Sequence, residues 1–258
     1  MSQFVVLLKK EMLESRRNFK WIWMPMVFIL FGITEPLTAY YMLDILDAVG
    51  NLPEGAVIEI PPPTSEQVLL STLGQYSMMG VLVIVLAFMG TVAGERKNGS
   101  ASLVLVKPVS HQSYILAKWL SALITVWVSY TLGMLSSWYY INLLFDNISS
   151  DYFLQAMFTY GFWLSFIVTL TIFFSSITFS PGLAAFSAIA VSIFLSFLSG
   201  IFTNQLVWST SRLSSYVSQI LMEGTWSSDL SMTLLTTVIV IFLLLAASSK
   251  IFKISELS

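Results

Sequence analysis

The chain of 258 residues contains no cysteine and only one histidine. Without cysteine, disulfide bonds, thiolate metal sites and cysteine nucleophiles are excluded. His111 alone cannot build a histidine metal site, and no cluster of other ligands joins the twelve methionines. We therefore expect no metal site in this chain.

Motifs for nucleotide binding and catalysis are also missing. The sequence has no G-x-x-x-x-G-K-[ST] loop, since Ser100 follows Gly99 where that motif needs lysine, and no G-x-G-x-x-G, H-E-x-x-H or G-x-S-x-G. The apolar runs contain no histidine and no paired carboxylates, which disfavours an intramembrane enzyme. The sequence predicts a protein that is not an enzyme and carries no cofactor.

Charge is scarce. Charged residues make up 10% of the chain, against about 25% in soluble proteins, whereas 56% of the residues are hydrophobic. The mean hydropathy is +0.81 and the net charge is −2, so nucleic acid is not an expected partner. This composition is typical of an integral membrane protein in contact with the lipid bilayer.

Six apolar runs reach the length of about 20 residues that a helix needs to cross a bilayer. They contain one formal charge, Glu35, and do not alternate like the strands of a membrane barrel. The predicted fold is an all-α polytopic membrane protein, a single transmembrane domain over residues 1–258. The predicted spans are residues 21–41, 75–93, 119–145, 152–179, 183–202 and 230–247.

The basic residues predict the orientation of this bundle. Eleven of the twelve fall on the side that holds both termini, and Arg212 is the one exception. Because basic residues concentrate on the cytoplasmic side, both termini are predicted to be cytoplasmic. The first span is too long for a cleaved signal peptide and is expected to remain as a signal anchor.

Two further segments are expected to lie at the membrane surface. Residues 4–19 combine an apolar face with basic residues and predict an amphipathic interfacial helix. Residues 203–229 are too apolar for a free loop and too interrupted to span, which predicts an outer re-entrant or interfacial hairpin with Trp208 and Tyr216 at the headgroup level. This hairpin either lines an outward exit or caps the bundle.

Glu35 is the one intramembrane charge, and such residues are candidates for function. Pro36 follows it, so a kink there would let the carboxylate reach outward. The structural and functional interpretations both stay open. A proton-driven pump is disfavoured, because a single glutamate is not a proton relay.

Residues 94–118 form a basic, turn-rich segment between the second and third spans. Asn98 and Ser100 can cap a short helix over residues 101–106, which Pro108 must end, and Ser110 can cap the next span. The short helix would expose apolar residues, Leu103 and Leu105 among them, that are not part of any membrane-spanning apolar run. A cytoplasmic partner protein would bury them, although packing on the chain's own bundle is the alternative.

At these residues the chain resembles the permease subunits of type-2 ABC transporters. Their motif between spans two and three is close to G-E-+-x-N-G-T-L-E-x-L-L-x-x-P-V-S-R, followed by a lysine at the start of span three. The matching residues are Gly94, Glu95, Lys97, Asn98, Gly99, Ser100, Leu103, Leu105, Pro108, Val109, Ser110 and Lys118. Ala101, Ser102 and His111 depart from it.

The resemblance implies the transmembrane subunit of a transporter whose ATPase is a separate protein. A separate P-loop ATPase, carrying ATP and Mg, would dock under the coupling helix, and two permeases would pair as a homo- or heterodimer. Glu95, Asn98, Gly99, Leu103, Leu105, Pro108, Val109 and Ser110 are the expected coupling residues. Glu35, Trp208 and Tyr216 are candidates for a substrate path or outer gate.

The expected function is export of a hydrophobic or amphipathic compound, such as a drug, peptide antibiotic or lipid-like molecule, across a bacterial plasma membrane. Two alternatives remain open. One is a membrane sensor or assembly subunit that docks a cytoplasmic partner without transporting anything. The other is the permease of an ion exporter, including sodium.

Overall fold

A computed structural model describes residues 3–42, 44–45, 61–99, 110–202 and 205–257. This part of the chain is helical and contains no strand. Six of its helical segments are long and apolar enough to cross a membrane. The predicted all-α fold with six spans is confirmed.

Ten α-helices make up the described chain. Helix α1 (Gln3–Arg17) precedes the first span, α2 (Lys20–Tyr40). The second span consists of α3 (Ser65–Gln75), a π-helical turn (Tyr76–Gly80), α4 (Val81–Phe88) and the short α5 (Ala93–Lys97). The other helices are α6 (His111–Leu144), α7 (Ser150–Ile177), α8 (Pro181–Ile201), α9 (Leu213–Glu223) and α10 (Ser228–Leu257).

Several spanning helices extend past their apolar runs. The second begins at Ser65 instead of residue 75, because Thr64 and Gln67 form a reciprocal capping box. Helix α6 begins at His111 instead of residue 119, and α10 continues to Leu257 instead of ending at residue 247. Hydropathy locates the apolar part of a span, whereas capping residues decide where the helix itself starts.

Helix α7 lies at the centre of the bundle and is buried along most of its length. Two tryptophan side chains of α6 donate hydrogen bonds to it, Trp119 to Thr169 Oγ1 at 2.8 Å and Trp127 to Ser165 Oγ at 3.0 Å. Helices α2 and α6 approach so closely that a Cβ atom on Gly32 would overlap the carbonyl oxygen of Gly133. Backbone therefore touches backbone at this crossing.

The π-helical turn in the second span is held by three buried tyrosines. Tyr76 donates a hydrogen bond of 2.9 Å to the carbonyl of Phe28, and Tyr160 Oη lies 2.9 Å from Ser77 Oγ. Tyr130 lies between the other two rings, with a distance of 5.8 Å from its centroid to each. The wide turn is thus fixed by α2, α6 and α7 together.

The predicted outer hairpin is a single packed helix in the described residues. After a 3₁₀ turn (Thr210–Arg212), α9 buries one face against α7 and ends at Gly224, whose φ of 64° is left-handed. The amphipathic prediction for the N-terminal segment corresponds to α1, which packs against α6. Its buried residues are Leu7, Glu11 and Ser15, so the face toward the bundle carries a charge.

Candidate functional site

The predicted coupling segment is described at its two ends. Glu95, Asn98 and Gly99 lie at the first end and Ser110 at the second. The predicted helix over residues 101–106 lies outside the described residues, as do four of the predicted coupling residues. Those four are Leu103, Leu105, Pro108 and Val109.

Both described ends have defined backbone geometry. The N–H group of Asn98 donates to the carbonyl of Gly94 at 3.1 Å, and Gly99 follows with φ of 71°. This left-handed conformation favours glycine and ends α5. At the other end, Ser110 Oγ accepts a hydrogen bond of 3.1 Å from the N–H group of Ser113, so Ser110 caps α6. The segment leaves and re-enters the helical bundle at fixed points.

A buried ionic cluster joins these ends to the N-terminal helix. Lys118 Nζ lies 2.9 Å from Glu95 Oε1 and 3.0 Å from Glu11 Oε1. Lys10 Nζ contacts the same two atoms at 2.8 Å and 3.0 Å. Only 1% of the Lys118 side chain is exposed, against 8% for Glu11, 13% for Glu95 and 41% for Lys10. We call these four residues the charged anchor.

The charges of the anchor balance, with two ammonium groups facing two carboxylates. Burial by itself lowers the pKa of Lys10, but its hydrogen bond to Glu95 and the charges of Glu11 and Glu95 act more strongly together, so the pKa is raised. The carboxylates of Glu11, Glu14 and Glu95 come within 4.8 Å of one another, a spacing that suits a metal ion. Lys10 and Lys118 contact Glu11 and Glu95, and Lys10 Nζ also lies 3.5 Å from Glu14 Oε2, so each of the three carboxylates is paired with an ammonium group.

A second layer of contacts surrounds the anchor. Tyr114 Oη donates a hydrogen bond to Glu95, and the Tyr114 ring stacks on Phe252 of α10 with a centroid distance of 5.1 Å. Arg96 lies over Phe179 and donates a hydrogen bond of 2.7 Å to the carbonyl of Ser176. Helix α5 is thereby tied to the ends of α7 and α10 as well as to α1 and α6.

The break between α4 and α5 is held by one hydroxyl group. Ser175 Oγ of α7 accepts hydrogen bonds of 3.0 Å from the N–H groups of Val92 and Ala93 and donates one of 2.7 Å to the carbonyl of Met89. A break in a spanning helix leaves backbone groups that need other partners. Ser175 supplies them and sets the direction in which α5 leaves the bundle.

At the opposite side of the bundle, Glu35 lines a cavity of about 480 Å³ between α2, the start of α3 and the end of α6. Tyr40 and Phe145 pack edge to face beside it, with a centroid distance of 6.1 Å. Pro61, Pro62 and Pro63 form a further wall. Glu35 is the one charged group among the described lining residues.

Trp208 and Tyr216 lie elsewhere on that side. Trp208 is 54% exposed, and its carbonyl accepts a hydrogen bond of 2.7 Å from Thr236 of α10. Tyr216 is 4% exposed and donates a hydrogen bond of 3.0 Å to the carbonyl of Val207. Neither lines the Glu35 cavity. The structure therefore does not bring the three predicted gate residues into one site.

Comparison with known proteins identifies the family of this chain. Residues 5–257 match the family described as ABC-2 family transporter protein. The chain is also 33% identical, over 244 residues and 95% of each chain, to the uncharacterized transmembrane protein YxlG of Bacillus subtilis (strain 168). The chain belongs to the ABC-2 transporter family.

As an ABC-2 family protein, the chain is a membrane subunit of a kind that is generally not catalytic. The family implies an ABC transporter permease that associates with an ATPase subunit. The matched region extends from α1 to α10, so the three helices that meet at the charged anchor, α1, α5 and α6, belong to the shared domain.

Much of this ABC-2 protein's anchor was missed by motif reasoning. Glu95 and Lys118 belong to the recognised motif, but Glu11 and Lys10 do not. One signal was present in the sequence, because Glu11 is placed four residues from both Leu7 and Ser15 on one helix face. A carboxylate on the face that packs against the bundle requires a buried partner.

Proposed function

We propose that this protein is the permease of an ATP-driven exporter whose ATPase is a separate P-loop subunit. The side of the bundle that holds both chain termini faces the cytoplasm of a bacterium, and the ATPase docks beneath residues 94–118. ATP and Mg are held by that subunit. Two permeases, identical or not, pair around the path of a hydrophobic or amphipathic compound.

The observation that carries the proposal is the charged anchor. Glu95 and Lys118 lie at the two ends of the coupling segment and share a buried contact of 2.9 Å. A force applied to the segment is therefore transmitted to the helices at both of its ends. It reaches α5 and α6 together, and through Glu11 it reaches α1.

Movement of the segment would pass into the bundle through rigid helices. Helix α6 extends for 34 residues from His111 to Leu144, close to 50 Å at about 1.5 Å per residue. It packs along α2, where backbone contact at Gly32 and Gly133 leaves little freedom for the helices to slide independently. A force applied on the side that holds both chain termini is thus expected to shift α2 and α6 as a unit. Such a rigid-body movement is one way in which proteins switch between two conformations.

The test is reconstitution with the P-loop ATPase encoded in a neighbouring reading frame. The two proteins should co-purify, and candidate amphipathic substrates should stimulate ATP hydrolysis. Leu103→Asp should abolish that stimulation and weaken ATPase binding, whereas Leu103→Ala, which keeps the site uncharged, should retain both in part. Both variants should keep the thermal stability of the bundle.

Full transport and full ATPase binding by Leu103→Asp would show that the segment is not the docking site. A stable complex in which no tested amphipathic compound stimulates hydrolysis would instead favour the sensor or assembly role.

A further inference from the structure

The Glu35 cavity has the chemistry of a receptor for an organic cation. Its volume of about 480 Å³ is in the range of small-molecule sites. Most of its walls are apolar or aromatic, with Glu35 as the one charge among the described lining residues. A cavity of this kind fits a compound with apolar arms and a single positive charge.

The Glu35 carboxylate forms no ion pair and no hydrogen bond with any residue that the structure describes, although its side chain is partly buried. The sequence adds a stronger constraint, since it contains no Lys, Arg or His between Lys20 and Arg96. No residue of α2 after Lys20, of α3, or of the sequence between them is therefore cationic.

The surrounding surface reinforces this preference. Arg212 is the one basic residue predicted for this side of the bundle, and its guanidinium lies over the Tyr216 ring at 5.5 Å, in the region that does not line the cavity. The sequence between α2 and α3 carries only acidic charges, Asp44, Asp47, Glu54 and Glu59, and Glu66 lies in the first turn of α3. An excess of carboxylates attracts cations and repels anions.

The lining is suited to an organic cation and not to a metal ion. Ca²⁺ and Mg²⁺ take six or more oxygen ligands, carboxylates among them, and the described lining offers the single carboxylate of Glu35. Gln67 Oε1 already accepts a hydrogen bond of 3.0 Å from the N–H group of Thr64, and Ser71 donates its hydroxyl to the carbonyl of Gln67. The aromatic pair Tyr40 and Phe145 instead offers ring faces and edges to a soft, weakly hydrated cation.

We propose that this cavity binds a lipophilic monovalent organic cation, an ammonium or phosphonium with apolar arms, with the Glu35 carboxylate as its counter-ion. As a substrate class for the exporter, the inference rests on the proposed function. As a binding site, it does not, because binding can be measured on the permease alone.

The experiment uses the full-length purified permease in nanodiscs without any ATPase. Tetraphenylphosphonium and tetraphenylborate have the same size and shape and opposite charge, so their comparison isolates the sign of the charge. Saturable binding of each is measured by equilibrium dialysis. The wild-type protein should bind the phosphonium saturably and show no saturable site for the borate.

Three variants assign the site. Glu35→Gln should weaken phosphonium binding by at least about tenfold, the effect of a loss near 1.4 kcal/mol. Glu35→Asp keeps the charge and should stay within about threefold of wild type. Glu223→Gln makes the same chemical change on an exposed carboxylate of α9 that does not line the cavity, and it should bind as the wild type does.

Equal phosphonium affinity in Glu35→Gln and wild type would overturn the proposal, as would an equal loss in Glu223→Gln. Displacement of the phosphonium by sodium, but not by choline at the same ionic strength, would mark a sodium site and also overturn it. If phosphonium binding depends on Glu35 while the reconstituted complex transports nothing, the proposed function fails and the binding site stands.

Discussion

Replacing Lys118 by methionine should expose how strongly the charged anchor holds the protein together. Methionine keeps the length of the aliphatic stem but removes the ammonium group that contacts both Glu11 and Glu95. The two carboxylates then share Lys10, whose side chain is 41% exposed and therefore partly screened by solvent. The cluster changes from balanced to singly negative in a largely buried site.

Removing one partner of a buried ion pair costs about 3–5 kcal/mol, because the remaining charge stays buried without compensation. Lys10 offsets part of this loss, so we expect Lys118→Met to lower the free energy of unfolding by about 3 kcal/mol. Unfolding in SDS mixed micelles, followed by the fluorescence of the eight tryptophans, measures this change.

Two further variants make the measurement specific to charge. The double variant Glu11→Gln, Lys118→Met restores the balance between Lys10 and Glu95, so it should regain most of the loss and unfold within about 1 kcal/mol of wild type. Lys9→Met removes an exposed charge from the same helix and should cost less than about 1 kcal/mol. If Lys118→Met proves no more costly than Lys9→Met, the anchor does not stabilise the fold and the reasoning is refuted.

Three other changes test separate features of the structure. Gly32→Ala should destabilise the bundle by about 1–3 kcal/mol in the same unfolding assay, since its methyl group meets backbone of α6, whereas Gly74→Ala, with open space around it, should not destabilise. Ser175→Ala should cost about 1–3 kcal/mol and speed hydrogen exchange at the two amides that it now caps; unchanged exchange would contradict this role. Gly99→Ala should cost about 1–2 kcal/mol because of its positive φ, and Gly99→Asn should cost less, a ranking that thermal unfolding can check.

The sequence was sufficient to predict the spans because a bilayer imposes a simple rule of length and polarity. Glu35 was recognised for the same reason, as the one charge inside those spans. The rule depends only on residue type along a window, so it needs no knowledge of neighbouring helices. Hence six spans could be counted without knowing how they pack.

Contacts between distant parts of the chain could not be predicted in this way. The ion pair between Lys118 and Glu11 joins residues that are far apart in sequence, and no local pattern states that α1 folds against α6. Ser175 is one of many serines in apolar helices, and only the break at the end of the second span shows why this one matters. Glycine is common in membrane helices, so Gly32 and Gly133 gave no warning of their contact.

The burial of Tyr216 could not be predicted for a related reason. Aromatic rings favour the headgroup level, which is the depth predicted for Tyr216 and Trp208. Tyr216 also lies buried on α9, and its hydroxyl donates a hydrogen bond to the carbonyl of Val207. A preference for a depth says nothing about which helix will cover a ring.

The π-helical turn keeps the buried face of α4 aligned with the buried face of α3 in the second span. Buried residues there recur every four positions, at Val68, Thr72, Tyr76, Gly80, Ile84 and Phe88. Four residues of α-helix turn through about 400°, so such a row drifts by about 40° at each step unless a wider turn takes up the difference. The extra residue in the π-helical turn therefore keeps both halves of the span facing the bundle. Loss of a single residue there would rotate everything beyond it by about 100° and carry Glu95 away from Lys118, although the deletion lies far from both.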